Sequence, residues 1–296
     1  MRATQKESDG SPVSPAAAAL ALVPMIGELR EEIEDGRCLP AALVDSMVQA
    51  SLFQLGLPAV VGGPQHHPLT SFAAIETLAR AEGAVGWCAS IASSVSLVVG
   101  AWLAPEVVRA MVGAPPDLRV AGSVRAEGEA KKVEGGYRLN GRWDFASGID
   151  HANWLYCSCR VINLTDAEDK PETRTLMVPR DEGSRIDTWT AAGMRGSGSH
   201  DFAVTDVFVS DARVITAGAP PRNDALLYHP RLVRISGWTT TAAVALGIAR
   251  GALDALTDLS FRGTTMSTAA LRERPAVQQA AGEAEAILGG ARAYLM

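Results

Sequence analysis

Hydrophobic and polar residues alternate along residues 134–154, EGGYRLNGRWDFASGIDHANW. The apolar positions are Tyr137, Leu139, Trp143 and Phe145, and the polar positions between them are Arg138, Asn140, Arg142 and Asp144. A period of two is that of a half-buried strand whose apolar residues face a core. Gly135 and Gly136 predict a hairpin turn before this strand. A break at Ser147 and Gly148 would leave backbone N–H groups and a hydroxyl for a polar ligand. Taken alone, the pattern favours an ordinary hairpin with an aromatic core face.

The first part of the chain has the apolar spacing of helices. The predicted helices cover residues 15–35, 40–55, 69–82, 83–99 and 104–112. Gly36 and Gly56 are the predicted stops of the first two. The fourth helix is rich in Gly, Ala and Ser, so neighbouring helices can approach it closely. Pro115 and Pro116 then mark a predicted domain boundary.

Short strand-like runs separated by turns follow from Leu118 to about Val214. They read LRVAGSV, AKKVEG, YRLNGRWDF, NWLYCSCRVI, RTLMVP, RIDTWT and HDFAVTDVFV. Runs of this length and spacing predict a compact β-barrel or sandwich. A polar hairpin loop is expected over residues 163–172.

Helical spacing returns near Arg234 and again near Pro275, where it continues to Met296. The predicted fold class is therefore α+β and multidomain. The expected divisions are a flexible N-terminal arm (1–14), an N-terminal α-helical domain (15–116), a middle β domain (117–218) and a C-terminal helical domain (219–296). The apolar face of the last helix, made of Ile287, Leu288, Ala291 and Leu295, has no visible partner in the sequence. We therefore expect the C-terminal helical domain to be incomplete.

Composition narrows the functional classes. The chain has 296 residues, a formal net charge of −6 and 47% hydrophobic residues, enough for one large core or several modest ones. Mild acidity argues against a nucleic-acid partner, which calls for a clustered basic surface. The apolar segment 16–26 is too short to span a bilayer, and no other stretch is expected to reach that length without charges. Neither a nucleic-acid nor a membrane partner is therefore expected.

The cysteines and histidines do not predict a metal site. Cys38, Cys88, Cys157 and Cys159 form no CxxC pair and no zinc-like set with histidine, which predicts a reduced, cytoplasmic protein without structural metal. His66 and His67 are adjacent in a polar loop with no carboxylate nearby, so a solvated loop is the favoured interpretation.

Two glycine-rich stretches do not match nucleotide-binding motifs. Residues 193–201 (GMRGSGSHD) lack the Lys-Ser/Thr ending of a phosphate loop, and a strand follows them, so a turn between strands is favoured. Residues 83–86 are no dinucleotide fingerprint, and no NAD site is predicted.

Three stretches together resemble one protein family. GGYRLNGRWDFASGIDHANW resembles the middle-domain signature of the flavin-dependent monooxygenases built on the acyl-CoA dehydrogenase fold. Residues 79–90 (ARAEGAVGWCAS) and 191–209 (AAGMRGSGSHDFAVTDVFV) match the same family in the same order and at compatible spacing. The family includes the oxygenase components of two-component aromatic hydroxylases, similar to 4-hydroxyphenylacetate and 3-hydroxy-9,10-secoandrostatriene-dione hydroxylases.

This resemblance implies an activity, a cofactor and partners. The expected activity is hydroxylation of a small phenol-like or polycyclic aromatic substrate through a C4a-hydroperoxyflavin, with O₂ as the oxygen source. A separate NAD(P)H-flavin reductase would supply the reduced flavin, which is FMN or FAD. Full family members assemble through the C-terminal bundle, commonly as tetramers, so the resemblance implies a homo-oligomer.

The resemblance also implies which residues contact the flavin. They are Trp87, Gly122, Ser123, Val124, Phe145, Ala146, Ser147 and Arg262. The backbone N–H and hydroxyl of Ser147 would lie near the N5 edge, and Arg262 would pair with the flavin phosphate. Without the resemblance, Trp87 is a core anchor and Arg262 is equally well explained as a surface residue. The helix 83–99, with Trp143 and Phe145, would form a dry wall.

No catalytic base is assigned from the sequence. The resemblance places the family's catalytic histidine in a C-terminal portion beyond Met296, and we expect this chain to be a truncation, a fragment or an incomplete gene product. His151 is interpreted as a structural hydrogen-bonding residue at a strand start. His200 is interpreted as structural as well.

An acyl-CoA dehydrogenase is the nearest alternative. That family usually carries an EPxxGSD-like stretch where this chain has AGSVRAEGEAKK, and WDFASG replaces its WITN-like sequence. Both differences favour the oxygenase branch. Desulfurising or N-hydroxylating members of that branch remain alternatives, and so does an inactive, truncated homologue.

Overall fold

The computed structural model describes residues 13–162, 172–216, 218–261 and 270–296. Six helices precede the sheet within these residues: α1 (Pro15–Glu28), α2 (Arg30–Gly36), α3 (Ala41–Gln49), α4 (Pro68–Ala81), α5 (Gly83–Trp102) and α6 (Pro105–Val112). Two follow it: α7 (Pro230–Ser260) and α8 (Pro275–Leu295). The helical and strand-rich parts of the chain therefore follow each other as the sequence predicts, and the α+β class is confirmed.

Two predicted helices differ most from the observed ones. The first predicted helix divides at Leu29 into α1 and α2. The second ends at Gln49 and not at residue 55, because Ser51 has a φ of 57° and turns the chain out of the helix. The start of α1 follows the expected rule, since the Ser14 hydroxyl accepts from the N–H of Ala17 at 3.2 Å and a proline follows it.

Seven strands hydrogen-bond into a single sheet in the order β5-β6-β2-β1-β3-β4-β7. They are β1 (Val120–Val133), β2 (Gly136–Ala146), β3 (Trp154–Ile162), β4 (Thr173–Pro179), β5 (Ser184–Ile186), β6 (His200–Ser210) and β7 (Val214–Thr216). All neighbours are antiparallel except β1 and β3. The first two predicted runs join into one long strand, β1, whose register with β3 shifts between Ser123 and Gly128. The short strand β7 was not predicted.

The hairpin between β1 and β2 forms one residue earlier than the two glycines suggested. Its turn is Glu134 and Gly135, where Gly135 has a φ of +74°, and Gly136 is already paired with Ser210 of β6. Gly136 is needed for a different reason, since a Cβ there would lie 2.2 Å from the carbonyl oxygen of Val209. The loop predicted at 163–172 lies outside the described residues, apart from Glu172.

One hydrophobic cluster joins the helices to the sheet. Its buried residues are Leu57, Val61, Val99, Leu103, Val108, Met111, Val112, Leu118, Val120, Met177 and Ile215. The helices also approach one another closely at glycines. A Cβ on Gly247 of α7 would lie 2.5 Å from the carbonyl oxygen of Glu76 on α4, and a Cβ on Gly86 would lie 2.5 Å from the Cβ of Ala79. Small residues therefore bring α4, α5 and α7 together at one place.

Two helices of the described chain are long and apolar enough to cross a membrane by length and composition. The expectation that no uncharged stretch reaches that length is therefore wrong, since α5 is such a stretch. The most apolar window of α5 is 72% buried inside the protein, as in the core helix of a soluble protein, and that of α7 is 39% buried.

The last helix is partnered on one side. None of the residues of α8 is fully buried, but Leu288 and Leu295 pack against the main helical core, so the expectation that its whole apolar face lacks a partner is wrong. Arg250 of α7 pairs with Glu285, and Arg292 pairs with Glu76 of α4. Ile287, by contrast, is 72% exposed.

Candidate functional site

One face of α5 is less buried than the rest of the helix. From Trp87 onward its partly exposed residues recur every three or four positions: Trp87, Ile91, Ser94, Val95, Val98 and Trp102. This is the spacing of one helical face. All six side chains line one or both of two adjoining cavities.

The first cavity lies between this face of α5 and the sheet, and its volume is about 350 Å³. The wall opposite α5 includes Gly122, Ser123 and Val124 of β1 with Phe145 and Ser147 at the end of β2. With Trp87, these are six of the residues that the sequence assigns to flavin. Gly122 is fixed by packing, because a Cβ there would lie 2.2 Å from the carbonyl oxygen of Tyr156. The close contact between β1 and β3 therefore requires glycine at this position.

Phe145 leaves the alternating pattern of β2. The sequence predicts that it faces the core with Trp143, but its side chain is 55% exposed at the cavity. The cause is a local irregularity in β2, where the register with β6 shifts between Trp143 and Ala146 and Phe145 has a φ of +57°. The Phe145 ring meets Trp189 edge-on at 6.3 Å and Arg125 at 5.6 Å. A left-handed conformation at a bulky residue is a strained feature of the kind found at functional sites.

Trp143 and Ala146 belong to the core of the sheet and do not line the first cavity. Trp143 is fully buried, stacks on Phe202 at 4.9 Å and donates its indole N–H to the carbonyl of Ser158 at 2.7 Å. Ala146 is fully buried in the same cluster. The expected dry wall of Trp143 and Phe145 is therefore wrong for Trp143. The apolar wall comes from α5.

Ser147 sits at the end of a chain of hydrogen bonds. The indole N–H of Trp87 donates to its hydroxyl oxygen at 2.8 Å. Behind it, the hydroxyls of Ser147 and Ser199 are 2.7 Å apart, and those of Ser199 and Ser197 are also 2.7 Å apart. The Ser147 N–H donates to the carbonyl of Phe145 at 3.0 Å, so the expectation of a free N–H and hydroxyl is wrong. The hydroxyl is held from two sides, which fixes its position at the cavity wall.

A second cavity of about 540 Å³ adjoins the first and shares Ile91, Ser94, Val98 and Val124 with it. Its remaining lining comes from Trp102 of α5, from Ile215, Thr216 and Gly218, and from Pro230, Val233, Arg234, Gly237, Trp238 and Thr241 of α7. The Trp102 N–H donates to the carbonyl of Ala219 at 2.8 Å, which fixes the ring. Most of the surface of this cavity is therefore apolar or aromatic.

The comparisons with known proteins point to one family. Residues 239–296 match the family model described as the C-terminal domain of acyl-CoA dehydrogenase. The indole-3-acetate monooxygenase of Pseudomonas putida is 31% identical over 291 residues, which are 96% of this chain and 73% of that relative. The chain belongs to the flavin-dependent monooxygenases of the acyl-CoA dehydrogenase fold.

A second relative agrees in sequence, and a solved structure agrees in fold. The flavin-dependent monooxygenase oxygenase subunit HsaA of Rhodococcus jostii (strain RHA1) is 32% identical over 248 residues, which are 79% of this chain and 62% of HsaA. XiaF from Streptomyces sp., solved in complex with FADH2 and glycerol, superposes with a TM-score of 0.83 at 24% identity and covers 95% of this chain and 72% of XiaF. The present chain therefore spans 62% of the length of the HsaA from Rhodococcus jostii.

Neither His151 nor His200 lines either of the two cavities. Burial, and secondarily Arg119, lowers the pKa of His151 to about 4, and its ring packs on Phe53 at 5.1 Å. Its backbone N–H donates to the carbonyl of Gly148 at 3.1 Å.

His200, the first residue of β6, is fully buried. Its Nδ1 accepts from the N–H groups of Thr188 and Trp189, and its Nε2 is 2.6 Å from an Arg185 nitrogen. Burial, with Arg185, lowers its pKa. These contacts hold the strand ends together.

Several lining residues escaped the sequence analysis. Arg125 and Asp144 face the first cavity and pair at 2.7 Å, and the other oxygen of Asp144 is buried without a hydrogen-bond partner among the described residues. Tyr156 also lines it, and burial raises the pKa of its hydroxyl, so it stays protonated at neutral pH. The alternation of apolar and polar residues in β2 predicts only that Asp144 faces away from the core. Arg262, assigned to the flavin phosphate, lies outside the described residues.

Proposed function

We propose that this chain is the oxygenase part of a two-component monooxygenase, which binds reduced flavin in the first cavity and hydroxylates an aromatic substrate in the second. The observation that carries the proposal is the grouping of Trp87, Gly122, Ser123, Val124, Phe145 and Ser147 around one cavity. They come from three separate segments of the chain, and the family resemblance implies a flavin contact for each of them.

The first cavity suits a flat ring system with apolar faces and a polar edge. One side is the apolar face of α5, and the other carries the hydroxyls of Ser123 and Ser147. Val124 is 83% exposed and Phe145 is 55% exposed, although both are apolar. A bound ring would cover both side chains, and burial of apolar surface is favourable. These features support flavin at this position, as FMN or FAD.

When bound, reduced flavin would supply the two electrons that activate O₂, so that one oxygen atom of O₂ enters the substrate and the other leaves as water. The residues of this chain hold it and keep water away. Trp87 fixes the Ser147 hydroxyl against the polar edge of the ring, and Ile91, Val95 and Val98 form the water-excluding side. Neither cavity is lined by a histidine in the described part of the chain, so no base for the substrate is proposed.

The remaining parts of the proposal follow from the family. We propose that a separate NAD(P)H-flavin reductase supplies the reduced flavin, that O₂ is the co-substrate, and that the protein acts in the cytoplasm as a homo-oligomer. We also keep the division into an arm (1–14), a helical domain (15–116), a β domain (117–218) and a second helical domain (219–296) as a proposal. Trp87 and Ser147 are proposed to contact the flavin, and Arg262 its phosphate.

Anaerobic titration of the chain with FMN and FAD, each oxidised and reduced, tests the proposal. We expect the reduced form to bind, and Trp87→Phe to weaken binding by about tenfold, because the Ser147 hydroxyl loses its indole donor. Trp154→Phe is the matched control. It also deletes an indole N–H, here bonded to the Met111 carbonyl at 3.0 Å, but Trp154 lines neither cavity.

Two results would contradict the proposal. One is a wild-type chain that binds neither flavin in either redox state. The other is equal loss of flavin affinity in Trp87→Phe and Trp154→Phe, which would assign the effect to fold stability. A further test is to add O₂ to the complex with reduced flavin and to measure the release of H₂O₂. Release of H₂O₂ more slowly than from free reduced flavin supports an oxygenase.

A further inference from the structure

Only one of the described residues that line the second cavity carries a formal charge. Among its lining residues only Arg234 is charged, and the others are apolar, aromatic, glycine or hydroxyl-bearing. No carboxylate of the described chain forms an ion pair with Arg234, whereas most arginines around the first cavity and the sheet have such a partner. A guanidinium on an apolar cavity wall is costly to cover with an apolar ligand, because it would lose water and gain no hydrogen-bond acceptor.

The helix that carries Arg234 presents a regular face to this cavity. Pro230, Arg234, Trp238 and Thr241 follow one another at intervals of four, four and three residues, which is one side of α7. Pro230 is the first residue of the helix, so the positive end of the helix dipole lies at the same side as Arg234. The guanidinium and the helix end therefore favour the same sign of ligand charge.

The aromatic side chains of the cavity define the rest of the ligand. Trp102 offers only its ring, since its N–H is bonded to Ala219. Trp238 is 72% exposed, although a tryptophan is the largest apolar surface that a chain can offer. Two indole rings suit a flat aromatic ligand, and the cavity of about 540 Å³ lies within the range of small-molecule sites.

We infer that Arg234 selects an aromatic substrate that carries a carboxylate, with the ring against the two tryptophans and the carboxylate on the guanidinium. The inference rests on the proposed function, because it names the substrate class of the second cavity. The forked donors of arginine match the two carboxylate oxygens, and such charge-assisted pairs are among the stronger hydrogen bonds.

Calorimetric titration of the flavin-free chain with cinnamate and with cinnamamide tests this inference. The two probes differ in charge and share the same ring and chain. We expect the wild-type chain to bind the acid at least about tenfold more tightly than the amide. Arg234→Gln is expected to bring the two affinities together, and Arg234→Lys to keep part of the preference, because it keeps the charge without the fork. Arg231→Gln is the control, since Arg231 is exposed on the same helix and does not line the cavity.

Three results would overturn the inference: no binding of cinnamate by the wild-type chain, equal binding of acid and amide, or a preference that survives in Arg234→Gln. Because the titration contains no flavin, its result does not depend on whether the chain binds flavin. A chain that prefers the acid but binds no flavin would refute the monooxygenase proposal and leave the specificity of Arg234 in place.

Discussion

Ser147 lies where the polar and apolar parts of the first cavity meet. Its oxygen receives the Trp87 N–H, and its hydroxyl contacts that of Ser199, which contacts that of Ser197 in turn. All three serines are buried. Such a chain restricts Ser147 to a small range of orientations, because each hydroxyl depends on the next. Ser147 was found from its motif. Ser199 lies 52 residues away and was interpreted only as part of a turn.

The position of Ser147 predicts how its replacement affects the chemistry. Ser147→Leu would place an apolar side chain in the cavity of about 350 Å³ and displace the flavin from the α5 wall. We expect weaker binding of reduced FMN and release of H₂O₂ at the rate of free reduced FMN after O₂ is added. Peroxidase-coupled detection of H₂O₂ measures that rate.

The companion variant Ser147→Ala separates bulk from hydrogen bonding. It removes the hydroxyl without filling the cavity, and we expect a smaller loss of FMN affinity than in Ser147→Leu. If Ser147→Leu binds FMN and retains slow H₂O₂ release like the wild-type chain, Ser147 does not border the flavin.

At the scale of elements, the site depends on how closely the helices pack. Trp87 and Ile91 reach the first cavity from α5, and α5 is held against α4 and α7 through glycines. Gly86 faces Ala79 of α4, and Gly247 of α7 faces the backbone of α4 near Glu76. The crossing leaves no room for a methyl group, so the distance between helices is set by the absence of side chains.

A pair of glycine replacements tests this crossing. In Gly247→Ala the new Cβ would lie 2.5 Å from the Glu76 carbonyl oxygen and 2.7 Å from the Ala79 Cβ, so the helices must separate. We expect a loss of about 1–3 kcal/mol in the free energy of unfolding. Gly282→Ala on α8 is the control. No atom lies within 4 Å of its new Cβ, so better helix propensity is expected to raise stability by about 0.5–1 kcal/mol. Urea unfolding of both variants measures the difference, and destabilisation of both by the same amount would contradict the packing account.

The local pattern of apolar residues predicts most helices and strands. It does not predict which side of each element faces the cavities. The apolar period identified α4 and α5 to within a few residues. It did not identify the face of α5 that lines the cavities, because nearly every residue of that helix is small or apolar and the pattern has no polar side. Phe145 was misplaced for a related reason. The alternation of β2 continues through it in the sequence, but a local irregularity with a positive φ turns its side chain out of the core.

At the scale of the whole molecule, the helices and the sheet share one of the hydrophobic clusters. Val99, Leu103 and Met111 from the helices pack in the same cluster as Val120 and Met177 from the strands. Arg37, just after α2, also binds both oxygens of Asp187 at 2.8 Å. The apolar pattern changes from helical to strand-like spacing near residue 117, where the elements change from helix to strand. It gives no information about this shared core, because contacts distant in sequence leave no local pattern.

The shared core predicts coupled unfolding of helices and sheet. Met177 is fully buried, and Met177→Ala removes its side chain from the junction. We expect a loss of about 2–5 kcal/mol in the free energy of unfolding. The transitions followed by far-ultraviolet circular dichroism and by tryptophan fluorescence should move together. Leu226→Ala, at a residue that is 77% exposed, is the control and should leave both midpoints nearly unchanged. Separate transitions, with only one moved by Met177→Ala, would indicate that the two parts unfold independently.

The wall common to the two cavities limits how this protein can diverge. Ile91, Ser94, Val98 and Val124 border both spaces, so a replacement at any of them changes the shape that two different ligands meet. Natural selection for a new substrate would then be opposed by the need to keep the old cofactor. Trp102, Arg234 and Trp238 border only the second cavity. Among relatives that act on different compounds, variation should therefore collect at these three positions while the common wall changes slowly.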